Sequence, residues 1–186
     1  MTNARTADLA QSIEATGKVL SQLHAKQLGL STPCEDWSVA QVRDHLLRML
    51  VTFGEAFGAS LEEPQDGGPN GSTDTVETYK AASARLLEAA SAASPDRMVT
   101  IPFGTVPAEV ATKIATVEAL VHGWDVAKAT GQHYVCNPAV AERAREVSAA
   151  LLAQVPAGRS PFAPPVTVED SAPAIDRLVG LLGRQP

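Results

Sequence analysis

Ile114-Ala115-Thr116-Val117-Glu118-Ala119-Leu120-Val121-His122-Gly123-Trp124-Asp125 is mostly apolar, and its few polar side chains decide how the chain reads. Glu118 and His122 stand four residues apart. On a helix that spacing puts both side chains on one face. Ile114, Val121 and Asp125 share the face. A carboxylate and an imidazole therefore project together from a stretch otherwise suited to a core. The helix that carries them is expected over about 107–130, with Pro107 in its first turn and Gly131 ending it.

Upstream, Val42, Leu46, Met49, Leu50 and Phe53 fall at i, i+4, i+7, i+8 and i+11. This stripe predicts a helix over about 39–57. Ser38 is a suitable N-cap, and Gln41 three residues on completes a capping box. His45 sits on the stripe and is expected to face inward. An imidazole buried there without a polar partner would cost about 1–3 kcal/mol. Leu9, Ile13, Leu20, Leu23 and Leu28 predict a first helix over about 5–29, capped at Gly29. Asp74 and Glu77 suit the start of another over about 75–93, and Asn137-Pro138 starts one over about 138–154. A short last helix over about 172–182 stops at Gly183. Residues 58–73 are rich in glycine and read as a mobile loop. Residues 97–107 read as extended, punctuated by Pro102, Gly104 and Pro107, without a convincing strand. Residues 156–169 are proline-rich and read as irregular. Four long helices imply an all-α four-helix bundle, with one extra helix and an irregular C-terminal tail outside it.

The composition agrees. The 186 residues are 45% hydrophobic, 4% aromatic and 19% charged, and alanine is abundant, which favours helix over sheet. The length suits one domain over 1–186, with the bundle at about 5–131 and an extension at about 132–186. The net charge of −6 weighs against nucleic acid and anionic membrane surfaces as partners. The longest apolar runs fall far short of the roughly 20 residues that span a bilayer. The N-terminus has no apolar signal core, so a cytoplasmic location is expected. Cys34 and Cys136 stand far apart with no CxxC, which argues against a disulfide framework. Neither a phosphate-binding glycine pattern nor a GxSxG elbow is present.

Bundle cores build metal sites from carboxylates and histidines on facing helices. Adding His45 to the Glu118/His122 pair gives two imidazoles and one carboxylate, a catalytic zinc pattern with one position open. A hydrogen-bonded Glu–His pair in the core is the plainer reading of the same spacing. Asp125 would accept the second ring N–H of His122, or hold a nearby water, or serve elsewhere in tertiary structure. Trp37 and Trp124 read as packing residues. Cys34 lies in a turn near helix-end amides, which would lower its pKa. A structural role is the simpler reading for it. Cys136, His24 and His133 read as bland or exposed.

Two stretches also carry a resemblance. The first is Thr32-Pro33-Cys34-Glu35-Asp36-Trp37-Ser38-Val39 with Val42-Arg43-Asp44-His45-Leu46. The second is Ile101-Pro102-Phe103-Gly104 leading into Ala115 through Ala127 and Thr130-Gly131. In this order and separation they resemble the mycothiol-dependent maleylpyruvate isomerase N-terminal family, part of the DinB/YfiT-like group of metalloenzymes. The tail from Pro164 to Gly183 is similar to a short actinobacterial subgroup known only for metal binding. The resemblance implies a DinB-like topology, and metal ligation by His45, Glu118 and His122, usually of zinc and sometimes of nickel or another divalent ion. It implies a small thiol of the mycothiol type and a small electrophile as partners, in S-transfer, addition or isomerisation. It extends to pairing into a homodimer. The isomerase has a substantial C-terminal domain that contributes to its active site. Here only about 50 residues follow Gly131, so the isomerase's own reaction does not carry over as safely as the metal site does. A non-catalytic metal-binding or stress-response module is the alternative to an enzyme.

Overall fold

The computed structural model describes residues 5–60, 73–155 and 162–186, the first two residues of the middle stretch by backbone alone. The fold is all-α and DinB-like. Among the described residues the α-helices are α1 (Ala7–Leu20), α2 (Val39–Ala56), α3 (Thr73–Ala92), α4 (Ala108–Thr130), α5 (Pro138–Leu152) and α6 (Ala174–Leu181). Helices α1 to α4 close a ring: α1 packs on α4, α4 on α2, α2 on α3 and α3 on α1. Helix α5 packs on the outer side of α4, and α6 packs on α5.

Helix α4 occupies the middle. Every residue from Ala115 to Ala127 is buried, which is what a helix apolar on all sides must achieve. Its first amides are satisfied from outside, Ala108 by the Arg97 carbonyl at 2.8 Å and Glu109 by the Pro95 carbonyl at 3.0 Å. At its far end Gly131 adopts φ 70°, the left-handed cap expected there. Helices α1 and α4 approach closely at Gly123, where an added Cβ would overlap the Thr16 hydroxyl. That hydroxyl donates to the Ala119 carbonyl at 2.6 Å.

Helix α2 begins as its sequence dictates. Ser38 accepts the Gln41 amide at 3.4 Å, and Gln41 Oε1 accepts the Ser38 amide at 2.8 Å. Leu46 and Leu50 are fully buried, each worth roughly 1.5–3 kcal/mol.

Two elements differ from expectation. The first helix ends at Leu20 and not near Gly29, and a single 3-10 turn over Ala25–Gln27 follows. The end tightens through i→i+3 bonds, Gln22 to Val19 at 3.1 Å and Leu23 to Leu20 at 3.2 Å. The turn lets Gln27 donate to the Thr130 carbonyl at 3.2 Å and Leu28 accept the Ala40 amide at 3.0 Å. Tertiary contacts thus override a periodicity that Leu23 and Leu28 continue. The second difference is at 97–107. Met98–Ile101 (β1) and Gly104–Pro107 (β2) pair antiparallel, Met98 with Pro107 and Ile101 with Gly104. Val99 and Ile101 point inward while Met98 and Thr100 stay exposed, a period of two. The glycine-rich loop lies largely outside the described residues, while α3 already includes Thr73, so Asp74 falls within the helix backbone and not ahead of it as the expected cap.

Candidate functional site

The inward face of α2 meets the polar stretch of α4 at His45. His45 Nε2 lies 2.9 Å from Glu118 Oε2. His122 Nε2 lies 3.5 Å from the same oxygen. One donor atom from each of His45, Glu118 and His122 falls within 4.8 Å of the others. Glu118 and His122 are buried, and the His45 side chain keeps 27% of its exposure. The group is thus set into the bundle and open through His45.

Burial opposes ionisation of Glu118, and hydrogen bonds from His122 and His45 outweigh it, so its pKa is lowered to about 2. Burial likewise opposes protonation of His122. Hydrogen bonds to Asp125 and Glu118 outweigh it and raise the pKa to about 9. A proton on His122 thus helps balance the buried Glu118 carboxylate.

Asp125 is one helical turn on and fully buried. Its Oδ2 lies 3.1 Å from His122 Nδ1. Arg184, beyond α6, reaches the same carboxylate with Nη2 3.1 Å from Oδ2 and Nε 3.3 Å from Oδ1.

Trp37 closes another side. Its ring is stacked on His122 at 5.7 Å between centroids and tilted against His45 at 4.9 Å. The turn before α2 holds it there. Thr32 Oγ1 accepts the Cys34 amide at 3.2 Å and donates to the Trp37 carbonyl at 2.9 Å. Asp36 adopts φ 68° in that turn, a left-handed conformation that aspartate tolerates better than most residues.

Cys34 offers its sulfur within 4.8 Å of His122 and Asp125 donor atoms. Burial pushes its thiol pKa up, which Arg184 only partly opposes. That corrects the expectation of a lowered value from helix-end amides. Trp124 packs in the core as expected, with Lys128 Nζ 5.7 Å from its ring centre. His24 and His133 are exposed, and burial raises the Cys136 thiol to about 11.

Sequence reasoning missed the contacts of Trp37 and Arg184. Trp37 precedes a recognisable N-cap by one residue, which hints that it lies at the head of the helix bearing His45. Arg184 follows the helix-ending Gly183, and no local pattern says where the tail returns.

Residues 9–127 match the family described as mycothiol maleylpyruvate isomerase N-terminal domain. The chain belongs to this family. His45, Glu118, His122 and Asp125 lie within the matched residues of the isomerase N-terminal family, and Arg184 lies beyond them. Uncharacterized proteins from two strains of Mycobacterium tuberculosis are each 30% identical to the chain over 173 residues, 92% of either partner's length. No solved structure matches the chain at a significant level. Among the described residues no helix is long and apolar enough to cross a membrane.

The donor set suits a divalent cation. Two imidazoles and a carboxylate are borderline to hard ligands, as zinc and nickel prefer. Glu118 Oε2 already lies 2.9 Å from His45 Nε2 and 3.5 Å from His122 Nε2, and the His122 proton takes part of the charge-balancing role that a cation would fill.

Proposed function

We propose that the chain holds a divalent metal ion, zinc first, through His45, Glu118 and His122. We propose that it uses the ion with a low-molecular-weight thiol of the mycothiol type, for S-transfer, addition or isomerisation on a small electrophile. The observation that carries this reading is the convergence of three donor atoms from α2 and α4 within 4.8 Å, in a group still open to solvent through His45. Membership of a mycothiol-related family supports the thiol.

When bound, such an ion lowers the pKa of a thiol or water in its open position and so supplies a nucleophile near neutral pH. The chain's own residues prepare that position. Asp125 accepts from His122 Nδ1, which leaves Nε2 directed at Glu118. Trp37 covers both imidazoles with an apolar ring and keeps water from one side. The acidic total charge leaves recognition of any anionic substrate to local cations. Homodimer formation rests on the family likeness, and light scattering measures it directly.

The test is elemental analysis of purified wild type beside His45→Ala and His122→Ala. Stoichiometric metal in the wild type, lost in both folded variants, bears the reading out. Equal metal in all three sinks it. Thiol titration of the cobalt-substituted protein then probes the thiol, since sulfur ligation alters the visible spectrum. A loaded protein that accelerates no thiol addition to a panel of electrophiles is a metal-binding module and not an enzyme.

A further inference from the structure

We propose that Arg184 is a positioning residue for the candidate metal centre, acting through Asp125 to hold His122 with Nδ1 engaged and Nε2 turned toward Glu118. The proposal rests on the metal-binding reading above and adds to it a residue outside the family match.

Three features of the structure carry it. First, Arg184 and Asp125 are both buried, at 7% and 0% side-chain exposure. Two separate guanidinium nitrogens reach the two carboxylate oxygens, at 3.1 and 3.3 Å. A guanidinium that spans both oxygens fixes the plane of the carboxylate as well as its position. Second, the same Oδ2 that Arg184 approaches lies 3.1 Å from His122 Nδ1. A carboxylate bound to a guanidinium is an acceptor, so the ring hydrogen at that contact belongs to Nδ1. The other ring nitrogen is then the one turned toward Glu118 and His45. The orientation of a metal-binding imidazole is set by what its second nitrogen bonds to.

Third, the backbone is built to deliver Arg184. Helix α6 ends in a double closure, with the Arg184 amide on the Val179 carbonyl at 2.9 Å and the Gly183 amide on the Gly180 carbonyl at 3.1 Å. This is the Schellman arrangement, and it requires a left-handed residue at Gly183, whose φ is 82°. A Cβ at Gly183 would come within 2.7 Å of Ala163. The tail is tied down by the Val166 amide on the Gly180 carbonyl at 2.9 Å. Arg184 Nη1 donates to the Leu182 carbonyl at 2.9 Å, and its guanidinium lies 5.8 Å from the Phe162 ring centre. Each guanidinium nitrogen thus has a partner within the chain itself, which suits a positioning role better than substrate contact.

The experiment compares wild type, Arg184→Gln and Arg184→Lys in two measurements. In the metal-free proteins, NMR follows exchange of the His122 Nδ1 ring proton with solvent. In the second measurement, cobalt affinity is determined by competition with a chelator. The expected result is a protected ring proton in the wild type and faster exchange in Arg184→Gln with unchanged helical content. Cobalt affinity should fall roughly 10–100-fold, the usual effect of losing a ligand's hydrogen-bonded support. Lysine keeps the charge but cannot span both oxygens, so Arg184→Lys should recover only part of each. A folded Arg184→Gln with wild-type ring-proton exchange and wild-type cobalt affinity overturns the proposal. If Arg184→Gln does not fold, Arg184→Lys decides: faster ring-proton exchange supports the proposal and wild-type exchange overturns it. A wild type that binds no cobalt defeats the metal reading, while the ring-proton measurement still judges the Arg184 contact.

Discussion

His45, Glu118 and His122 were legible in the sequence because each lies on a helix, where spacing reports direction. Trp37 and Arg184 were not. One stands in a turn and the other after a helix end, and neither place has a period from which direction follows. Gly123 shows the same limit. It sits unmarked between His122 and Trp124, yet its missing side chain is what lets α1 reach α4. An added methyl would overlap Thr16 Oγ1 and come within 2.9 Å of Tyr134 Cε2. Gly123→Ala should therefore destabilise the fold by about 1–3 kcal/mol, the usual cost of overpacking a core. Gly29 is the control, because nothing lies within 4 Å of its built Cβ and its backbone is not left-handed. Gly29→Ala should leave stability unchanged or raise it, by up to about 1 kcal/mol through the unfolded chain. Urea unfolding of both variants checks the pair. Equal stability in the two would show that the α1–α4 approach does not constrain the core.

At the scale of elements, the sequence showed best where local chemistry and tertiary packing agree. The Ser38/Gln41 box, the Asn137 cap and the Gly131 stop all fall where they were expected. Expectation failed where packing chose between local options. Leu23 and Leu28 extend the stripe of α1, but the chain turns at Ser21 to reach the end of α4 and the start of α2. In the hairpin, Pro102 and Gly104 looked like interruptions of an extended stretch. Pro102 and Phe103 form the tight turn and Gly104 opens the return strand, and the alternation Met98-Val99-Thr100-Ile101 was the strand signal beside them. The cap of α2 makes a prediction of its own. Ser38→Ala should cost about 1 kcal/mol and Ser38→Gly only a few tenths, because glycine exposes the helix amides to water. Thermal unfolding monitored by circular dichroism separates the two. Identical melting of Ser38→Ala and wild type would mean that the long 3.4 Å Gln41–Ser38 contact stabilises nothing.

In the whole molecule, the ring of four helices confines an acid–base cluster at the seam of α2 and α4, and the turn before α2 and the chain's last residues close it. Glu118, His45, His122, Asp125 and Arg184 face one another there, so the charge state of this cluster is coupled to folding. Two signs follow for the metal-free protein. The Glu118 pKa falls on folding from 4.5 to about 2, so its contribution is present above pH 4.5 and is lost as pH drops toward 2. The His122 pKa rises from 6.5 to about 9, so its contribution is complete below pH 6.5 and is lost as pH climbs through 9. The metal-free chain should therefore be most stable between these limits and melt progressively earlier from pH 6.5 to 9. Zinc should reverse the alkaline trend. A cation and a proton compete for the same imidazole nitrogen, so metal affinity rises with pH, and with it the stabilisation that binding confers. Melting temperatures taken with chelator and with excess zinc at several pH values should thus diverge as pH increases. Parallel curves would show that the cation does not replace those protons, and would place zinc somewhere other than His122.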